Sequence, residues 1–337
     1  MLRYFAFSGL LTIAAILVAL FGLGFGAALT TIILIAIEVA FSFDNAIVNA
    51  KILERLSNFW QQLFLTVGMV FAILGMRFVF PILIVMVSAG LSWGQVLDEA
   101  LHKPEVYGNH LQAAHTAIAA FGGAFLLMLS LYFFLDDDRK EIWIKWIERP
   151  LQRLGAHLWL PPALTGIIVI VMSFFAEHEA STVLKAGLAG VALYMMLKLL
   201  IDGLGKLEPG ANKVYTGWPA FMAFLYLQLL DANFSFDGVL GAFAITDKVL
   251  LIALGLGVGA FWVRSLTVVM VRHGILGSYR YLEHGAHYAI LVLAVALLAS
   301  IFLEVPDAVT GITGLGVIFS SFLASRQALR ARAAPRT

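Results

Sequence analysis

The chain has 337 residues, 61% of them apolar and only 13% charged, with a mean hydropathy of +0.93. Too few polar side chains remain to cover a water-facing surface, so a soluble protein is excluded and the solvent is lipid. A net charge of +1 excludes an electrostatic nucleic-acid binder, and the absence of cysteine excludes disulfide staples, thiolate metal sites and cysteine nucleophiles.

A spanning helix takes about 20 mainly apolar residues at 1.5 Å each. The sequence predicts ten spans, at 5–24, 27–50, 61–88, 112–135, 161–177, 181–203, 217–245, 248–271, 285–303 and 306–324. The first follows Arg3 and is read as a span, because its apolar run is longer than a secretory signal core. Span 2 carries Glu38 and then Phe41, Ser42, Phe43, Asp44 and Asn45; span 3 carries Arg77, and span 4 opens near His115. Asp136, Asp137 and Asp138 read as a solvated cytoplasmic run or, alternatively, as a metal-collecting vestibule. Residues 136–160, with Trp143, Trp146 and Trp159 among Lys and Arg, read as an interfacial segment.

Span 5 opens on Pro161, Pro162, Ala163, Leu164, Thr165 and Gly166 and ends on the polar loop Glu177, His178, Glu179. Span 7 carries Asp231, Ala232, Asn233, Phe234, Ser235, Phe236, Asp237 and Gly238. Span 8 holds Arg264 together with Gly255, Gly257 and Gly259, which no strand precedes, so close helix packing is the reading there rather than a nucleotide loop. Span 9 carries His287, and span 10 opens on Pro306, Asp307, Ala308, Val309, Thr310 and Gly311.

An acidic residue followed three positions later by Phe-Ser-Phe-Asp thus occurs twice, and the Arg, His and Thr-Gly landmarks recur, each five spans apart. Five is odd, so the second copy enters the membrane the opposite way, as an inverted repeat with a substrate site expected at mid-depth. Residues 1–180 form the first repeat, 181–325 the second, and 326–337 a basic cytoplasmic tail. With the N-terminus inside, seventeen Lys and Arg fall on the cytoplasmic side against Lys103, Lys185 and Lys248 outside. Retention of positive charge in the cytoplasm then places both termini there. The expected fold is an all-α polytopic protein of the inner cell membrane, with ten helices in a five-plus-five inverted repeat.

A charge at the bilayer centre costs roughly 2.5–3.5 kcal/mol, so Glu38, Asp44, Asp231 and Asp237 need compensation. On an unbroken helix positions i and i+6 point about 240° apart, so both acids of one copy face one site only if the helix opens at Phe-Ser-Phe. Carbonyls freed there would add ligands. Asn45, Asn233, Ser42 and Ser235 supply neutral oxygens. An all-oxygen, carboxylate-rich set suits hard divalent cations such as Mn²⁺, Ca²⁺ or Mg²⁺. In the plainer alternative the acids are structural partners of Arg77 and Arg264, although two arginines do not neutralise four acids. His115 and His287 are interfacial polar residues or members of a proton or metal relay.

The two acidic Phe-Ser-Phe-Asp segments, the first with Asp44-Asn45, and the arginine in each following span resemble the TerC family within the lysine-exporter-like superfamily. Glu304, Val305, Pro306, Asp307, Ala308, Val309, Thr310 and Gly311 resemble a larger TerC-related subfamily. The resemblance implies metal-ion export, chiefly of manganese, and an association with tellurium resistance, with ligands at Glu38, Asp44, Asp231 and Asp237. The expectation is a secondary transporter expelling a hard cation, with no prosthetic group and no enzymatic activity. Its partners are the bilayer, the metal substrate and, in one arrangement, further copies of itself; proton antiport follows if protons replace the departing cation on the carboxylates. The competing expectation is a membrane scaffold or stress-complex subunit. An intramembrane hydrolase ranks last, since neither Ser42 nor Ser235 has a histidine at helical spacing.

Overall fold

The computed structural model describes residues 2–68, 70–71, 75, 79–137, 139–154, 159–205, 214–243, 246, 248–275 and 279–333. The first stretch of helices comprises α1 (Leu2–Leu23), α2 (Phe25–Phe41), α3 (Phe43–Leu53), α4 (Asn58–Leu63), α5 (Phe80–Ala89), α6 (Trp93–His102) and α7 (Pro104–Ala113). There follow α8 (His115–Phe134), α9 (Lys145–Leu154), α10 (Leu160–Phe175) and α11 (Ala180–Gly205). The chain continues through α12 (Gly217–Phe243), α13 (Val249–Arg272), α14 (Leu282–Ala299) and α15 (Asp307–Ala333). Among the described residues there is no strand, only a bridge between Leu56 and Tyr215.

This is a multi-pass helical membrane protein: among the described residues six helices are long and apolar enough to cross a bilayer, and α2 with α3, bent by 47°, makes a seventh if taken as one broken span. Apolar side chains such as Phe7, Leu10, Ile13, Leu17 and Phe21 of α1 are exposed, as a lipid-facing helix requires. The expected spans 5 and 7 correspond to α10, only 16 residues long, and to α12. Expected span 3 is represented by α4, a π turn at Phe64–Gly68 and α5; Arg77 lies outside the described residues. Two short helices, α6 and α7, occupy what reads in sequence as a loop. Ser92 starts α6 with a capping box that Gln95 closes, and Pro104 fits the first turn of α7, where its missing N–H costs nothing.

The chain packs as two compact units, and each draws on both halves of the sequence: Met1–Ala114 with Pro209–His273, and His115–Glu208 with Gly274–Thr337. The units of packing are therefore not the two sequence halves.

In the first unit α2 lies against α13. A methyl group on Gly259 would stand 2.5 Å from Glu38 Cβ and Cγ, and one on Gly255 would clash with Leu34, so both glycines let a residue of α2 sit on the α13 backbone. Leu34 and Glu38 are one turn apart, as are Gly255 and Gly259, so the glycines of span 8 serve packing, as read from sequence. Helix α1 is fastened to α13 through Ser8 Oγ to Ser265 Oγ at 2.8 Å and Trp262 Nε1 donating to Thr12 Oγ1 at 2.9 Å. Leu53, Leu56, Phe64, Ala220, Ala223 and Leu227 form a cluster that joins the end of α3 to α12, and Tyr215 N–H donates to Arg55 O at 2.7 Å beside it.

In the second unit α8 is buried along most of its length. A methyl on Gly123 would stand 2.7 Å from Leu298 Cγ of α14, and one on Gly190 of α11 would meet the Phe121 carbonyl. Without a hydrophobic drive between helices in lipid, such close backbone approach supplies the dispersion that holds them together. Ser325 of α15 accepts the Tyr281 N–H at 2.9 Å, fastening the start of α14.

Candidate functional site

The α2–α3 bend falls within the first Phe-Ser-Phe segment. Aromatic residues and Ser are mediocre helix formers, so interruption costs little there. Ser42 has φ −95° and ψ 14°, yet its N–H still donates to Glu38 O at 3.0 Å and its carbonyl still accepts from Ala46 N at 3.1 Å. The segment therefore bends while the Glu38 and Ser42 carbonyls both stay in backbone bonds, so neither of these two is free as a ligand. In the second copy α12 runs unbroken from Gly217 to Phe243, so the expected opening there is corrected: tertiary context outweighs a propensity difference of a few tenths of a kcal/mol per residue.

Around the bend the first unit encloses a small cavity, lined on one side by Glu38, Ser42, Asn45 and Asn49 and on the other by Asp231 and Arg264. It offers about 20 Å³ to the centre of a water molecule, room for one water or one ion. Glu38 is 2% exposed and accepts a bond from Ser42 Oγ at 3.0 Å on Oε1. Asn45 Nδ2 donates to Asp231 Oδ1 at 2.6 Å, a bond linking residues 186 apart in sequence. That donation fixes the amide orientation, so Asn45 turns its oxygen elsewhere.

The oxygen finds no donor. Asn45 Oδ1 and Asn49 Oδ1 are buried acceptors without a hydrogen-bond partner among the described residues, and Arg264 Nε is a buried donor in the same condition. An orphaned buried polar atom costs about 1–3 kcal/mol, so three around one cavity mark a place prepared for something polar. Gln228, one turn before Asp231, is also buried with both amide atoms unpaired.

The sequence-derived set is thus assembled in part. Glu38, Ser42, Asn45, Asp231 and Arg264 share the cavity; Asp44 is buried beside it, its Oδ1 taking the Asn45 N–H at 2.8 Å, without lining it. The side chains of Asn233, Ser235 and Asp237 lie outside the described residues, as does Arg77. Among the described residues no three His, Asp or Glu side chains converge as a metal cluster, so the oxygens on offer are two carboxylates with two amides. His115 and His287 belong to the second unit. There His115 Nε2 meets Ser300 Oγ at 3.3 Å, and His287 gives Nδ1 to Glu283 O at 2.9 Å while its ring stacks on Phe133 at 3.7 Å. Asn49 is absent from the sequence-derived set; its signal is the i, i+4 spacing from Asn45, which puts both amides on one face of α3.

A second polar centre was likewise unanticipated. Glu148 of α9 is fully buried, accepting from Trp143 N at 3.2 Å and Ile144 N at 3.1 Å, with Arg139 Nη2 and His284 Nε2 both at 3.3 Å. Burial pushes the Glu148 carboxyl up, but the bonds from His284 and Ile144 and the charges of His284 and Arg139 outweigh it and hold the group below its ordinary value. The Arg139 guanidinium also lies over the Phe133 ring at 4.0 Å.

Residues 43–332 match the model of a family described as a protein of unknown function, DUF475, and the chain belongs to that family. No curated protein and no solved structure matches the chain.

Proposed function

Taking the chain as a member of that family, we propose that it is a secondary transporter that exports a hard divalent cation, manganese first, through the cavity between α2–α3 and α12–α13. The observation that carries this reading is the pair of orphaned amide oxygens, Asn45 Oδ1 and Asn49 Oδ1, on residues that line the same cavity as Glu38 and Asp231. Carboxylates and amide carbonyls are the ligands that hard cations take, and water completes the shell of Mn²⁺, Ca²⁺ or Mg²⁺. A wider cleft supports the reading: Glu54, Asn58, Gln61, Gln62 and Arg272 line a polar space that shares Leu65 with the cavity wall. By the charge bias of the loops it opens on the cytoplasmic side, where an exported ion would enter.

The finer architecture belongs to the same proposal: ten spans as a five-plus-five inverted repeat in the inner cell membrane, with Asn233, Ser235 and Arg77 beside the cavity, Asp44 and Asp237 as further rungs of a carboxylate ladder along α3 and α12 rather than ligands of this cavity, and relays at His115 and His287. The resemblance to the TerC family, with its link to tellurium resistance, supports it through the acidic Phe-Ser-Phe-Asp segments. A cation of charge +2 with Arg77 and Arg264 balances four acids, so departure of the cation favours protonation of the carboxylates and hence proton antiport. The scaffold reading keeps one specific observation, that Arg264 lines the cavity with both acids, as a structural ion pair would require.

Growth under manganese excess separates the two. Cells lacking the chain should become sensitive to Mn²⁺ and recover with the wild-type chain but not with Asp231→Asn. Recovery with Asp231→Asn favours the scaffold.

A further inference from the structure

The outward face of α9 carries two parallel rows, each at i, i+4 and i+8. Lys145, Arg149 and Arg153 form a basic row; Trp146, Pro150 and Leu154 form an apolar one beside it, and all six are exposed. Trp146 is 80% exposed and Leu154 60%. The only acid of the helix, Glu148, is turned inward and held by Arg139 and His284, so no anion on α9 competes with the basic row.

From this arrangement we infer that α9 is a binding surface for the anionic headgroups of the cytoplasmic leaflet. The basic row meets lipid phosphates, and the apolar row enters the headgroup boundary. Charge complementarity selects this occupant: three cations beside an indole are what an anionic interface takes up, and a neutral leaflet offers the basic row nothing. The buried Glu148 cluster fixes which side of α9 faces out. This inference does not depend on what the cavity transports.

The full chain contains no cysteine, so Leu154→Cys provides a single labelling position. The bimane-labelled protein is placed in nanodiscs of phosphatidylcholine alone or with phosphatidylglycerol. Emission should shift to the blue in the anionic discs and return toward the neutral-disc value at high salt. Lys145→Gln with Arg149→Gln and Arg153→Gln should abolish the difference, whereas Arg149→Lys with Arg153→Lys should keep it and show that the fold survives substitution. Identical emission in both lipids, or a difference that survives the triple Gln variant, overturns the inference.

Discussion

Glu148 shows how a single residue can be read wrongly from its neighbours. Among Trp, Lys and Arg it looks like one more surface charge, yet it is fully buried and held by two backbone N–H groups, Arg139 and His284. The available signal was that α9 has one acid, placed opposite the Trp146–Pro150–Leu154 row. Removing one partner of a buried pair costs roughly 3–5 kcal/mol, because the other charge is left uncompensated. Glu148→Gln should therefore lower the melting temperature by several degrees and increase hydrogen exchange in α9. The sign of the pH effect follows from a depressed carboxyl. Its stabilisation is complete above the unfolded value of about 4.3 and is lost as pH falls through the lower folded value. Wild-type α9 protection should therefore fall off in acid, while the Gln variant stays flat.

The residues of the cavity were more legible, because an ionised group in an apolar span demands a reason. Glu38, Asp231 and Arg264 are visible in that way. Asn49 is not, since a neutral amide stands out only once its oxygen is seen to lack a donor.

At the scale of elements, the apolar runs located the spanning helices, but propensity alone did not say which weak segment breaks. Phe-Ser-Phe bends between α2 and α3 and stays helical in α12. The short α6 and α7 were missed because a polar ten-residue stretch gives little periodicity, although Ser92 with Gln95 and Pro104 were start signals. Gly255 and Gly259 of α13 are packing positions, as their setting in an apolar span without a preceding strand implies. A methyl at Gly259 would press on Glu38 itself, so Gly259→Ala should destabilise the protein by about 1–3 kcal/mol through overpacking. Gly314→Ala, whose nearest neighbour is Ala289 Cβ at 3.5 Å, should be close to neutral. Thermal unfolding in one detergent compares the two, and an equal loss in both would remove the special role of the α2–α13 contact.

For the molecule as a whole, the sequence shows a duplicated pattern, whereas the packing follows two units that cut across it. Glu38 falls in one unit with Asp231, and His115 falls in the other with His287. Thr165-Gly166 and Thr310-Gly311 also share a unit, while α1 and α11, which carry no matched motif, are divided between the units. Matched residues are thus grouped by partner rather than by half, a consequence of long-range packing that no local pattern reveals. The proposed topology is tested by reporter fusions after residues 106 and 145, which should report opposite sides of the membrane, with 145 cytoplasmic. A common side would remove the odd offset on which inversion rests.

Mn²⁺ flux into proteoliposomes containing the purified chain decides whether the cavity between Glu38 and Asp231 carries a hard cation across the membrane, as proposed. Wild-type protein should give flux that an imposed pH gradient accelerates, Glu38→Gln and Asp231→Asn none, and Asn49→Ala a half-saturating concentration raised about tenfold, equivalent to roughly 1.4 kcal/mol of lost binding. Flux that persists undiminished in both carboxylate variants, or a wild-type protein that moves no Mn²⁺, Ca²⁺ or Mg²⁺ at all, would contradict that proposal.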